Sequence, residues 1–330
     1  MRAMTAIDIH NHIVPEGFPV VEPTCGGGRW PSLQKGENNE ASIMIAGKEF
    51  RRIDSRSWDI QRRTRDMDEE RVDVHVISPM PELLSYWFDG QDGLKMARHI
   101  NAAIGEMVHK APTRFLGMGM VPLQDPDLAA KELSKLKSDG FVGVEIGSNI
   151  NGKVPGDPLY EPFFAEVERL GLAVLVHAFH PLLGERIIGP AMATALIGFP
   201  TEIGLAAASV ITSGLYERHT NLRMAFSHGG GTLAAILPRL NHGWTLNPFQ
   251  GQALSPLEVA QKLYYDTLVF DPTFLKQLIK RFGASQVMIG TDYPYTLRQA
   301  HPVSFLENLG LSSGEFDSIT SANAKRFLGL

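Results

Sequence analysis

Eight short apolar, β-branched runs recur along this chain with stretches of helical periodicity between them, and that repeat narrows the fold more than any other feature. Apolar runs of this kind suit parallel strands, and the amphipathic stretches between them suit crossover helices. The pattern predicts strands at about residues 4–9, 73–78, 115–121, 141–146, 172–177, 222–227, 264–269 and 286–290. It predicts helices near 59–71, 92–110, 127–138, 159–170, 199–214, 231–243 and 272–282. The order is βα throughout, and no Ser/Gly-rich or charge-block linker divides the chain. An α/β fold with one (β/α)8 TIM barrel over residues 1–330 is therefore expected, with an open doubly wound sheet as the alternative.

Two stretches exceed a minimal barrel. Residues 13–58, rich in Gly and Pro, form a long insertion after the first strand, and 179–198 form a second excursion after the fifth. Loops of such length carry function or a small subdomain. Both would rise from the same barrel face, where they can act as a lid over a substrate.

Composition restricts the partners. Apolar residues make up 44% and charged residues 20%, an ordinary mix for a chain with a substantial core. The formal net charge of −5 provides no basic field for nucleic acid, so a small molecule is the expected partner. The basic stretch from Arg51 to Arg65 is interleaved with Asp54 and Asp59 and reads mostly as a solvated helix face. Cys25 is the sole cysteine, which excludes an intrachain disulfide or a cysteine metal cluster and fits a reducing cytoplasm. The first five residues are too short for a signal peptide, and no apolar run of 18 residues follows, so no membrane association is expected.

The chemistry gathers where strands end. Asp8-Ile9-His10-Asn11-His12 closes the first strand, and an alternation of two turns both imidazoles to one face. His177 ends the fifth strand, His228 ends the sixth just before three glycines, and Asp292 follows the last. In a parallel barrel these ends meet at one mouth. Each histidine alone reads equally well as a structural cap, but five such groups at one mouth point to a metal site. Three imidazoles and one carboxylate suit Zn²⁺, with Mn²⁺, Fe²⁺ or Co²⁺ as alternatives and a position open for water or substrate. No lysine ends the fourth strand, Val142-Gly143-Val144-Glu145-Ile146, so a single ion is the simpler expectation.

These residues resemble the decarboxylase branch of the amidohydrolase superfamily. The likeness runs through Ile7-Asp8-Ile9-His10-Asn11-His12, Phe50-Arg51, Met67-Asp68, Val121-Pro122-Leu123-Gln124-Asp125, Leu175-Val176-His177, His228-Gly229-Gly230-Gly231, Arg239, Trp244 and Gly290-Thr291-Asp292-Tyr293-Pro294. It implies that His10, His12, His177 and Asp292 hold one divalent metal ion and that His228 is the catalytic base, with Asp292 sharing the proton traffic. It further implies that Arg51 and Arg239 grip substrate carboxylates, Arg239 being supplied across a homodimer interface. The family pattern breaks at Ala178-Phe179-His180, Thr245, Asn247, Tyr295 and Arg298. These departures are expected on the pocket wall, with Phe179, His180 and Tyr295 as substrate contacts and Trp87 beside them. His75 reads as structural, and Cys25 as an inert thiol with a pocket role left open.

The reaction implied is non-oxidative decarboxylation, without an organic cofactor, of a small unsaturated or hydroxy-aromatic acid of the carboxymuconate-semialdehyde type in aromatic-compound catabolism. His228 would take a proton from water activated at the ion. The same site would equally suit a hydrolase or hydratase of a related lactone, amide or unsaturated acid. A barrel kept only for binding is the reading from another class.

Overall fold

The repeat folds as the alternation predicts. A computed structural model describes residues 5–22, 25–190, 192–249 and 252–330. Along the chain run β1 (Ile7–Ile13), β2 (Ser32–Lys35), β3 (Glu40–Ile45), β4 (Lys48–Asp54), β5 (Val74–Pro79), β6 (Phe115–Gly119), β7 (Gly143–Gly147), β8 (Ala173–His177), β9 (Arg223–Phe226), β10 (Tyr264–Asp266) and β11 (Val287–Met288). Eight of these pair in parallel in the order β1-β5-β6-β7-β8-β9-β10-β11. The longer helices are α1 (Ile60–Glu70), α2 (Gly90–Lys110), α3 (Pro126–Ser138), α4 (Glu161–Leu170), α5 (Phe199–Thr212), α6 (Leu233–Leu246) and α7 (Pro272–Phe282). Several start on side-chain caps: Asp59 accepts from the N–H groups of Gln61 and Arg62 at 2.8 and 3.1 Å, and Asp125 caps α3 with Pro126 in its first turn.

The seam between first and last strands is drawn together by backbone. Ile9 N–H donates to Ile289 O at 2.9 Å, Asp292 N–H to His10 O at 2.8 Å, and His12 N–H to Tyr293 O at 2.7 Å. Gly290 permits this approach. A Cβ there would lie 2.6 Å from that of Asp266 and 2.9 Å from that of His10. The result is a (β/α)8 barrel.

Two hydrophobic layers follow from the strand alternation. Val144, Ile146, Val174 and Val176 face outward into the helical shell, while Leu175, Met118, Ile9 and Met288 pack with Phe327 and Leu328 of the C-terminal helix Asn323–Leu328. That second cluster fills the barrel floor, so the opposite end is left for polar groups.

Several boundaries differ from expectation. The first strand begins at Ile7 and continues to Ile13 instead of ending at residue 9. Its register against β5 shifts between Asp8 and Asn11, and backbone pairing to β5 and Tyr293 carries the polar His-Asn-His segment onward as strand. Residues 1–4, at the start of the expected strand, lie outside the described ones. The insertion at 13–58 is more than a loop: β2, β3 and β4 form an antiparallel sheet. The helical stretch expected at 199–214 begins earlier and is apolar over a longer span than expected. Thr194–Thr212 is long and apolar enough to span a membrane, and half of it is buried against the barrel.

Candidate metal centre

His10 and His12 enter the barrel from β1, His177 from the end of β8, and Asp292 from the turn after β11. One donor atom from each lies within 4.8 Å of the others, and all four residues are buried. The second ring nitrogen of each imidazole is already committed. His10 Nδ1 meets Asp266 Oδ2 at 2.6 Å, His12 Nδ1 donates to Pro79 O at 2.9 Å, and His177 Nδ1 donates to Ala178 O at 2.8 Å. A proton on each Nδ1 leaves the Nε2 lone pair free.

Those lone pairs meet no donor. His10 Nε2, His12 Nε2, His177 Nε2 and Asp292 Oδ1 are all buried without a hydrogen-bond partner. His12 Nε2 stands 3.0 Å from Asp292 Oδ1, yet the two face each other as acceptors. Four buried acceptors aimed at one point are costly unless a cation lies among them. The donor set fits a divalent ion with nitrogen and oxygen ligands.

The electrostatics agree. Burial opposes charge on His10, but the Asp266 hydrogen bond and Asp292 outweigh it and hold the imidazolium well above its usual range. Burial likewise opposes the ionised Asp292, while His10, His12 and His177 hold its carboxyl well below the usual range. Asp292 and His228 both occupy the left-handed backbone region, at φ 64° and 54°, a conformation uncommon outside glycine and concentrated at functional sites.

His228 stands beside the cluster and outside it. Its ring centre is 5.4 Å from that of His10 and 5.2 Å from that of His177. Burial, with His177 and His10 nearby, pushes its pKa down to about 3, so the imidazole is neutral at physiological pH. The turn that carries it is gripped by Asp266, which accepts from His228 N–H at 2.9 Å and Gly229 N–H at 2.7 Å. Gly231, at φ 55°, completes that turn where a Cβ would sit 2.0 Å from Pro200 O.

Asp266 was not anticipated from the sequence. It binds His10 and the His228 turn at once, and its signal was a lone acidic residue ending an apolar strand in step with the histidines. Arg63 is a second omission. This buried guanidinium donates to His12 O, to Arg56 O at 3.1 Å and to Asn11 Oδ1 at 3.0 Å, with the Tyr293 ring 4.7 Å away. The basic stretch is therefore only partly a solvated face: Arg62 and Arg65 are exposed, whereas Arg63 anchors β1.

A cavity of about 660 Å³ opens over the cluster, lined by His177, His228 and Asp292, by Arg51 and Arg56 of the insertion, and by Met192 and Leu196 of the second excursion. Both excursions thus face the mouth. Arg51 lies 4.6 Å from the Tyr295 ring centre, and that ring stacks on His12 at 5.3 Å. Arg52 and Arg56 pair with Glu49 and Asp54 at 3.6 and 2.8 Å, while Arg51 makes no ion pair among the described residues.

Other candidates lie elsewhere. Phe179 is buried against Tyr86 and Trp87, and His180 is exposed, stacked on Phe179 at 4.0 Å and on Trp87 at 5.4 Å. Neither lines the cavity, because the chain turns outward after Ala178. Arg298 pairs with Glu70 at 2.5 Å, and Thr245 lines a separate surface groove. Arg239 is exposed on α6 and does not reach this chain's cavity; Trp87, Cys25 and Asn247 also stand off its lining. His75 is buried 3.6 Å from Asp8, held neutral by burial and by Arg63.

Fold and site together define a (β/α)8 protein with a buried histidine–aspartate cation cluster at the carboxyl ends of its strands. The chain belongs to the amidohydrolase family, whose model matches residues 7–330. It is 36% identical to the 2-amino-3-carboxymuconate-6-semialdehyde decarboxylase of Dictyostelium discoideum, over 98% of this chain and 91% of that one. Its structure resembles 5-carboxyvanillate decarboxylase from Sphingomonas paucimobilis, with TM-score 0.83 and 25% identity over 99% and 100% of the two chains. A dihydroxybenzoic acid decarboxylase from Polaromonas sp. JS666, holding manganese and 2-nitroresorcinol, aligns with TM-score 0.79 and 25% identity over 99% and 97%.

Proposed function

We propose that the chain is a metal-dependent, non-oxidative decarboxylase of a small unsaturated or hydroxy-aromatic carboxylic acid, a carboxy-lyase of aromatic-compound catabolism. The observation that carries the reading is the meeting of four unpartnered buried acceptors with an unpaired Arg51 at one cavity. The names of the relatives supply the reaction class.

His10, His12, His177 and Asp292 would hold one divalent ion, Zn²⁺ as first candidate and Mn²⁺, Fe²⁺ or Co²⁺ as the others. Bound there, the ion supplies Lewis-acid polarisation of substrate oxygen. Arg51 takes a substrate carboxylate in a charge-assisted hydrogen bond, and Tyr295, stacked between Arg51 and His12, walls the ring. The carbon–carboxylate bond breaks, its electron pair remains on carbon, and a proton joins that carbon as CO2 leaves. Neutral His228 takes a proton from water or a substrate hydroxyl in the cavity and delivers it to that carbon, with Asp292 beside it. The 13–58 insertion and the 179–198 excursion limit water at the mouth as a lid of the single 1–330 domain.

We also infer a cytoplasmic homodimer in which Arg239 serves the neighbouring cavity. Its exposure on α6 supports this, as do the exposed apolar side chains Leu182, Ile188, Met192, Leu196 and Ile197 near the mouth. Mixing Arg51→Ala with Arg239→Ala chains would then restore one complete site.

The deciding experiment measures CO2 release by metal-loaded protein from 2-amino-3-carboxymuconate-6-semialdehyde, γ-resorcylate and 5-carboxyvanillate, beside an ester and lactone panel. Release from one of the acids is expected. Hydrolysis without CO2 would replace the decarboxylase by a hydrolase.

A further inference from the structure

Glu145 has no part in the chemistry above, yet it is the most unusual carboxylate in the molecule. It sits in the middle of β7, fully buried, and its neighbours Val144 and Ile146 face the helical shell, which turns Glu145 into the barrel. Outside the four converging donors, the buried aspartates Asp8 and Asp266 are satisfied: Asp8 accepts from Thr291 Oγ1 and His10 N–H, and Asp266 from His228 and Gly229 N–H. Among the described residues, Glu145 alone keeps both oxygens buried without a hydrogen-bond partner. An isolated buried carboxylate is unstable unless positive charge lies close by.

Its nearest polar group is His12. Glu145 Oε2 lies 3.5 Å from His12 Nδ1, the nitrogen that also faces Pro79 O at 2.9 Å and Ser78 Oγ at 3.3 Å. Three acceptors around one N–H fix the ring with Nε2 turned to the cluster. Glu145 is not one of the four converging donors. Glu145 behind His12 and Asp266 behind His10 are both buried carboxylates at the back of the cluster, and each adds negative charge that favours a cation among the four donors.

We propose that Glu145 is a positioning residue for the ion: it holds the His12 ring and, beside Asp266, supplies buried negative charge that favours the loaded site. The inference rests on the cation reading above. It requires opposite effects of one isosteric change, since the charge that helps the loaded protein has no hydrogen-bond partner in the empty one.

The test is Glu145→Gln in the full chain, with Zn²⁺ and Mn²⁺ affinity read by chelator competition and the melting temperature read on metal-free protein. Affinity is expected to fall roughly 10- to 100-fold, the range for outer partners of metal ligands, while the metal-free variant melts no lower than metal-free wild type. An affinity within twofold of wild type overturns the proposal. A weaker affinity with a lower metal-free melting temperature also overturns it, since that marks a packing defect. Should the glutamine variant not fold, Glu145→Met, of similar length, carries the same expectations. Wild type that binds neither metal would instead refute the cation reading itself, which keeps the two failures apart.

Discussion

Leu175 and His177 lie two residues apart on the same face of β8, and they belong to opposite ends of the barrel. Leu175 sits among hydrocarbon on a floor capped by Phe327 and Leu328. His177 presents an unpartnered nitrogen at a mouth where Asp292 and His228 hold left-handed backbone. Two residues of strand, about 7 Å, thus separate a region optimised for burial from one that carries unfavourable polar geometry. The floor provides the stability that the mouth gives up.

Substitutions should separate the two ends. His228→Asn is expected to cut kcat by roughly 10²- to 10⁴-fold, the range for a positioned acid–base group, and leave metal content unchanged. Steady-state CO2 release with elemental analysis checks this, and equal kcat would remove His228 from the proton transfer. Leu175→Ala should cost about 2–5 kcal/mol of stability by denaturant melting while metal affinity stays near wild type. If the affinity fell with it, floor and mouth would be one cooperative unit. Arg51→Ala loses a charge-assisted bond of about 1.5–3 kcal/mol, so KM should rise more than tenfold with kcat less affected.

The smallest effect is a pH slope. Burial first, then the neighbouring histidines, holds His228 down at about 3 in the fold against 6.5 for a free imidazole. As pH falls from about 6.5 towards 3, the unfolded chain takes up a proton that the fold refuses, and stability is lost. Metal-free His228→Asn should therefore gain on wild type by about 1 kcal/mol per pH unit across that window, and not above pH 7. Parallel stability curves for the two proteins would show that His228 is not held neutral by burial.

The floor was the more legible end. Apolar strands such as Leu172 to Val176 announce themselves by composition, and the barrel followed from their count and order. The four converging donors were legible as well, because His10, His12, His177 and Asp292 stand where those strands stop. What escaped depended on contacts distant in sequence. Asp266 gains its importance only because His10 and the His228 turn converge on it from two other strands. Arg63 looked like one more helix-face arginine until the end of β1 closed over it. Phe179 and His180 follow His177 in sequence, yet only Ala178 joins it on the cavity wall while their rings stack against Trp87. In the insertion, the alternation of Ala41, Ile43 and Ile45 up to Gly47 was itself a hairpin signal.

The antiparallel sheet of the insertion contributes Arg51 to the cavity and none of the four metal-facing donors. Recognition and ion holding are therefore built from separable parts of the chain. On the proposed reading, a lineage can rewrite the 13–58 segment to accept a new acid while the barrel ends that carry the four donors stay as they are. The segment is accordingly the place to graft or randomise when a different substrate is wanted.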